Sequence, residues 1–379
     1  MDNLIRAQRA LGHDVLLVTR FKQWLRLRKC NFSYQALPLP PKAFDPFDYE
    51  GGAGHRWPVA ITAAVYQWIG QFDVWHIHGI YPAGWQLLPA LRTLKIPVVL
   101  TAHGADVGVL PKYGHGYRLY PKHEPRIQHT ISEAPVLTAI SNTIVDEYLS
   151  LGASPEKIVS VPNGVDVRRI GDRHIDRCRV RQALGWPLDI PVIITVGRNY
   201  PTKGLNYIPK TIQALRRSVY KFLLVIVGSD LDSIAEMAKE EGVDAYLKTY
   251  PPIGARDCEN QLFPPTRLVD FLKAADVFAF PSEIEAFGLV VLEAMAAGVP
   301  VVTTNAPGLR DVVVDGVSGL LCPVGEPDAM ATLIAKVLAD VDLRRRLTAQ
   351  ALVDAEQYDW RLVAQRYLTV YKQLINQWH

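Results

Sequence analysis

No stretch of this chain stays apolar for the roughly 18 residues that a bilayer-spanning helix needs, although 49% of its 379 residues are hydrophobic. A helical integral membrane protein is therefore not expected. The opening residues, Met1-Asp-Asn-Leu-Ile-Arg6, do not read as a secretory leader. Cysteine is scarce: Cys30, Cys178, Cys258 and Cys322 lie far apart and match no metal-ligand or disulfide spacing. They read as reduced thiols of a cytosolic protein. Charge of one sign is also lacking, and a formal net charge of +3 does not imply a nucleic-acid partner. No internal repeat or low-complexity tract is present.

What the chain does have is an alternation of short apolar runs with amphipathic segments. Strands are expected at Val15–Thr19, Val74–His78, Val98–Thr101, Val136–Ala139 and Ile158–Val161, then at Val192–Val196, Leu223–Val227, Val277–Phe280 and Val301–Thr304. Each is nearly continuous in apolar residues, as parallel strands buried on both faces are. The class is α/β, with doubly wound, Rossmann-like domains. The turn signal Asn163-Gly164 and the polar stretch Asp166–Arg179 place a boundary between residues 1–165 and 166–357. Pro251–Pro265, with four prolines, reads as a long surface loop. In Trp360–Trp378, residues Leu362, Val363, Tyr367, Val370, Tyr371 and Leu374 form one stripe of a last helix.

The most informative segment is Pro281-Ser-Glu-Ile-Glu-Ala-Phe-Gly-Leu-Val-Val-Leu-Glu-Ala-Met295. A buried strand ends at Pro281, and a helix runs from Leu289 to Ala297. Glu285 falls on the loop before that helix and Glu293 inside it. Between them the backbone N–H groups of Gly288 and Leu289 open a helix N-terminus, which favours a phosphate because unsatisfied donors and the positive dipole end coincide. Spacing alone leaves two solvated glutamates as the plain alternative.

The run Glu-Ala-Phe-Gly-Leu-x3-Glu-Ala-Met-Ala-Ala-Gly-Val-Pro-Val-Val resembles the signature of glycosyltransferase family 4, with Ala286 where glycine is common. Val196-Gly-Arg-Asn-Tyr-Pro-Thr-Lys-Gly204 resembles the family's Gly-Arg-x4-Lys-Gly element. Thr101-Ala-His-Gly-Ala-Asp106 resembles its His-Gly-x-Asp segment. The resemblance implies a GT-B fold, two Rossmann-like domains facing across a cleft, with residues 358–379 forming a helix that returns to the first domain. It implies transfer of a sugar from a nucleotide-diphosphate sugar to an acceptor hydroxyl, with retention of anomeric configuration and without a metal or other cofactor. Glu293 would accept hydrogen bonds from the ribose, and Glu285 would hold a sugar hydroxyl. Phe287, Gly288 and Leu289 would present amides to the sugar and diphosphate. Arg198, as a planar fork, and Lys203, as a point charge, would stabilise the leaving diphosphate. His103 would bind the transferred sugar.

In that family a strand and a Gly-rich loop precede the first helix. Here the sequence opens within a helical pattern of Leu4, Ala7, Ala10 and Leu11 that Gly12 can end. The first domain is therefore expected to lack its first strand and to show a gap or a re-paired sheet.

Several groups keep two readings. His76 and His78 share one face of their strand, as a metal pair would, but with no third ligand evident they read as structural or lining residues. Asp230-Leu-Asp232 resembles the metal motif of another glycosyltransferase architecture, and helix capping or solvation is preferred. Ser141 reads as an N-cap. Lys22-Gln-Trp-Leu-Arg-Leu-Arg-Lys29 could touch an anionic membrane surface, or be a loop whose apolar residues pack inward; the second is preferred. The acceptor class is a glycan or a lipid-linked hydroxyl, and the expected location is cytoplasmic, at most peripheral to the inner face of the membrane. A nucleotide-sugar epimerase of the same fold, or a non-catalytic sugar-nucleotide binder, are the rival functions.

Overall fold

The computed structural model describes residues 2–27, 34–40, 56–254 and 263–378. Residues 255–262, most of the proline-rich segment, lie outside them, as do Cys30 and Cys258. The chain divides into two compact units, Met1–Pro162 with Arg361–His379, and Asn163–Trp360.

In the second unit six parallel strands form one sheet. They are β7 (Val192–Val196), β8 (Leu223–Val227), β9 (Leu247–Tyr250), β10 (Val277–Phe280), β11 (Val301–Thr304) and β12 (Leu320–Cys322), numbered after six strands of the first unit. Their order is β12-β11-β10-β7-β8-β9. The chain thus winds outward from β7 to β9, then returns to the other side of β7 at β10. That reversal is a topological switch point, at the carboxyl ends of the neighbouring strands β7 and β10. The central strands are buried throughout, with Ile193, Ile194, Val225 and Phe278 fully enclosed.

The first unit holds two separate parallel sheets among the described residues. One pairs β1 (Leu16–Arg20) with β2 (Gln35–Leu39), Leu16 opposite Gln35. The other is β3 (Trp75–His78), β4 (Val98–Thr101), β5 (Val136–Ala139) and β6 (Ile158–Ser160), side by side in that order. The helix Asp2–Ala10 buries Leu4, Ile5 and Gln8 and is followed by Gly12 at φ 88. The last helix, Trp360–Trp378, buries Val363, Ala364, Tyr367, Val370, Tyr371 and Leu374. Leu362, assigned to that stripe from the sequence, is instead exposed, and Ala364 takes the inward place. The helix joins the first unit through polar contacts as well. Gln8 donates to the Tyr371 hydroxyl at 3.2 Å, and Trp378 Nε1 donates to the Lys95 carbonyl at 2.6 Å.

Three strands escape the sequence pattern: β2, β9 and β12. β9 and β12 are the edges of their sheet, need only one buried side, and read Leu-Lys-Thr-Tyr and Leu-Leu-Cys. β2 contains Pro38, which demotes any strand reading. The segment from Lys22 is also corrected: Phe21–Leu27 is a helix and not a loop, with Phe21 and Leu25 exposed while Trp24 donates to the Ala36 carbonyl. Its continuation, 28–33, lies outside the described residues.

Candidate active site

At the switch point of the second unit, the loops after β7 and β10 are clipped together. Gly197 continues the β7 ladder by donating to the Val227 carbonyl, after which the chain turns through a short 3-10 segment, Pro201–Lys203. Gly204 follows at φ 63, and a Cβ there would stand 2.0 Å from the Pro281 carbonyl oxygen. Only glycine permits this approach, which lays the Lys203 loop against the end of β10. From the other loop, Glu283 N donates to the Thr202 carbonyl at 2.8 Å. Ser282, fully buried, places its Oγ 2.9 Å from that carbonyl and 3.0 Å from Glu285 Oε1. The Tyr207 hydroxyl donates to Glu283 Oε1 at 2.8 Å.

Within this clip Lys203 Nζ lies 2.5 Å from Glu285 Oε1. The two groups that sequence reasoning assigned to diphosphate and sugar are thus partners of each other here. Glu285 is held from its backbone too, its N–H donating to the Pro307 carbonyl at 3.0 Å. Arg198 stands differently. It is exposed, its guanidinium lies 5.4 Å from the Tyr200 ring centroid, and it has no ion pair among the described residues.

The helix of the motif runs Leu289–Ala296, with Gly288 as N-cap at φ 90 and no side-chain cap. The amides of Gly288 and Leu289 meet no acceptor among the described residues. They are therefore donors at a positive dipole end, able to bind an anion. Phe287 is buried and packs edge-on against Tyr358, so its ring is structural and only its backbone can serve a ligand. Glu293, just inside the helix, has a pKa pushed up to about 8, chiefly by burial, with Arg169 opposing the shift. Arg169 is in turn fixed by Asp166 at 3.0 Å and by the Pro264 carbonyl at 2.7 Å. Ser282, Tyr207 and Arg169 were not singled out from sequence. Nothing in their local pattern marks them, because their roles arise from contacts across 76 residues or more in the first two cases.

His103 sits in the first unit after β4. Its backbone N–H and that of Gly104 both donate to Asp106 Oδ1 at 3.0 Å, while Ile80 N–H donates to the other carboxylate oxygen at 2.8 Å. Asp106, itself buried, thus ties the ends of β3 and β4 together. The His103 ring is exposed at its edge and its Nε2 lies 2.9 Å from His78 Nδ1. Burial lowers the pKa of His76, to about 3, and that of His78. His76 is bridged between the Tyr371 and Thr101 hydroxyls, 2.6 Å on each side, which makes it a structural link between β3, β4 and the last helix. Among the described residues no three His, Cys, Asp or Glu side chains stand together to hold a metal ion. Asp230 and Asp232 are both exposed, as the solvated reading has it, and neither caps the helix: Leu231 is the N-cap, without a side-chain hydrogen bond, and Asp230 adopts φ 62. Ser141 does cap, accepting from Ile144 N–H. A cavity of about 390 Å³ between helices Trp85–Thr93 and Glu124–Glu133 contains none of the motif residues.

Comparison with known proteins finds matches over both units. Residues 1–169 match the family described as Glycosyltransferase Family 4, and residues 176–353 match Glycosyl transferases group 1. A D-inositol 3-phosphate glycosyltransferase of Saccharomonospora viridis is 31% identical over 357 residues, covering 88% of this chain and 78% of the relative. The chain belongs to glycosyltransferase family 4. A phosphatidyl-myo-inositol mannosyltransferase of Mycolicibacterium smegmatis is 27% identical to this glycosyltransferase, covering 97% of the chain and 88% of the relative. Among solved structures, Anabaena HepE in complex with UDP and glucose superposes with a TM-score of 0.73 at 18% identity, covering 98% and 96% of the two chains. The enzyme is thus a glycosyltransferase with the two Rossmann-like domains of the GT-B fold. No helix among the described residues is long and apolar enough to cross a membrane.

Proposed function

We propose that this glycosyltransferase moves a hexose from a nucleoside-diphosphate sugar to a hydroxyl of a lipid-linked or glycan acceptor, with retention of configuration and without a metal. The observation that carries the proposal is the uncapped helix mouth at Gly288-Leu289 in the same motif as Glu285, the partner of Lys203. The mouth supplies amides to a diphosphate. Lys203 leaves Glu285 for the incoming phosphate charge, and Glu285, kept in place by Ser282 and the Pro307 carbonyl, is freed to accept from a sugar hydroxyl. Arg198, unpaired and exposed, swings to the diphosphate as a bidentate donor. Glu293 accepts from the ribose hydroxyls, and His103 contacts the transferred sugar.

The reaction breaks the bond from C1 to the diphosphate oxygen and forms a bond from C1 to the acceptor oxygen. The acceptor proton passes to the departing diphosphate, whose charge Lys203, Arg198 and the helix amides stabilise. No protein nucleophile stands in the motif, which fits attack from the leaving-group face. The relatives named for inositol phosphate and phosphatidylinositol acceptors support a polyol or lipid acceptor. A lipid acceptor would place the enzyme at a membrane surface, and its cytoplasmic face is the side proposed here. A panel of nucleotide sugars, read first by thermal shift and then by the anomeric signal of the product, tests the proposal. Stabilisation by one donor and an unchanged anomer in the product are expected. Interconversion of the donor without acceptor would instead indicate an epimerase, and donor binding with no transfer to any acceptor a binding protein.

The raised pKa of Glu293 has its own consequence. The folded protein holds a proton there that the unfolded chain releases above pH 4.5, so stability falls as pH rises from about 5 to 8. Glu293→Gln should therefore gain stability on the wild type across that window, on the order of 3 kcal/mol at its upper end. Denaturant unfolding at pH 5 and pH 8 measures the difference, while donor affinity falls in the same variant. An equal effect at both pH values would contradict the buried acid.

A further inference from the structure

We propose that the helix Arg56–Gly70 of the first unit docks the enzyme on an anionic lipid bilayer. This deepens the reading of a lipid-linked acceptor and rests on it only for the acceptor's location. The helix carries apolar residues on two opposite faces. Val59, Ala63 and Tyr66 face inward, where the Tyr66 hydroxyl donates to the Pro38 carbonyl of β2. Trp57, Ile61, Val65, Trp68 and Ile69 are 68, 60, 45, 80 and 68% exposed. At 3.6 residues per turn these five fall within an arc of about 120°. The two tryptophans alone leave roughly 300 Å² open, as much as the largest apolar patch of many whole monomers. From Trp57 to Gly70 there is no charged residue to disturb that stripe.

Charge decides the partner. Residues 1–162 and 361–379 hold 19 Lys and Arg against 12 Asp and Glu, while residues 163–360 hold 22 against 26. The unit that bears the stripe is therefore the basic one. From residue 15 to 44 the chain carries Arg20, Lys22, Arg26, Arg28, Lys29 and Lys42 and no acid. The helix Phe21–Leu27 within that run, with Lys22 exposed, is anchored on β2 through Trp24, the strand that also supports Arg56–Gly70 through Tyr66. An apolar stripe with interfacial tryptophans beside a cationic segment is the composition of a helix that lies in the headgroup layer, and each nearby cation strengthens attraction to anionic lipid.

Flotation of the full chain with phosphatidylcholine vesicles, with and without phosphatidylglycerol, tests this. Binding to the anionic vesicles, reduced by salt, is expected, with a blue shift of tryptophan emission. Trp57→Ser/Ile61→Ser/Trp68→Ser/Ile69→Ser should weaken it at least tenfold while thermal unfolding and donor binding stay unchanged. Should that variant fail to fold, Trp68→Ser alone, at the most exposed position of the stripe, should weaken it severalfold. Wild-type binding by the folded variants overturns the proposal. So does a wild type that ignores vesicles, whether because it dimerises through the stripe or because residues 40–55 cover it, which light scattering and acrylamide quenching report. Vesicle binding without transfer to any lipid acceptor would leave the docking helix standing and remove only the lipid-acceptor reading.

Discussion

Lys203→Ala is expected to lower kcat/KM for sugar transfer by about 10²–10³, with most of the loss in kcat, the size seen when a positioned donor to a developing anion is removed. Lys203 is the cation that the fold itself brings to the motif. Gly204 turns the chain back against Pro281, and the Thr202 carbonyl, which accepts from Glu283 N–H, holds the loop there. The substitution also acts on the ground state. Glu285 is only 12% exposed at its side chain and would keep Ser282 as its remaining side-chain partner. A carboxylate left so enclosed loses the charge that balanced it. Lys203→Arg keeps the charge with a different reach and should recover part of the rate. In a cycle with Glu285→Gln the two losses should fall well short of additive, since each single change already breaks the pair. Unchanged kinetics in Lys203→Ala would remove the diphosphate assignment.

Gly204→Ala should be nearly as damaging, by a different route. A Cβ at this position meets the Pro281 carbonyl oxygen at 2.0 Å, a backbone atom at the end of a buried strand that cannot yield as a side-chain tip can. The added methyl must push the Lys203 loop off β10, and with it the Thr202 carbonyl that receives Glu283 N–H. A stability loss of roughly 2–4 kcal/mol is expected, together with donor affinity reduced tenfold or more. Gly242 supplies the control. It has the same φ of 63 but nothing within 4 Å of its Cβ, so Gly242→Ala bears only the left-handed backbone strain, about 1–2 kcal/mol. Thermal unfolding of the two variants side by side separates contact from conformation. Equal melting temperatures would mean that the Gly204 turn relaxes freely.

Much of the α/β frame was legible before any coordinates. β4, β5, β7, β8, β10 and β11 fall where continuous apolar runs put them, because a strand buried on both faces has to be apolar at every position. The motif helix likewise starts at Leu289, after a glycine. The missed strands are those that bury one side or carry a proline. Leu362 was misplaced because a helical stripe read from residue type cannot tell a leucine at the edge of a contact from the small Ala364 at its centre. Of the two roles open to Asp230, solvation holds and capping does not, because the turn after β8 carries it into the left-handed region one residue before the N-cap.

Order of residue types along the chain was enough to establish the glycosyltransferase motifs, since backbone donors at a helix mouth need only a strand, a glycine and a helix in succession. Which groups meet was beyond it. That Lys203 grips Glu285, that Ser282 and Tyr207 lock the two loops, and that Arg169 faces Glu293 depend on the return of β10 to the side of β7. The stripe of Arg56–Gly70 shows the same limit from the other direction. Residue type alone does not say which of its apolar residues are covered; packing shows that one face holds the helix and the opposite face stays open. Local pattern records what each residue prefers, while partners far apart in sequence are chosen by the crossing of the chain, and only the folded sheet decides that.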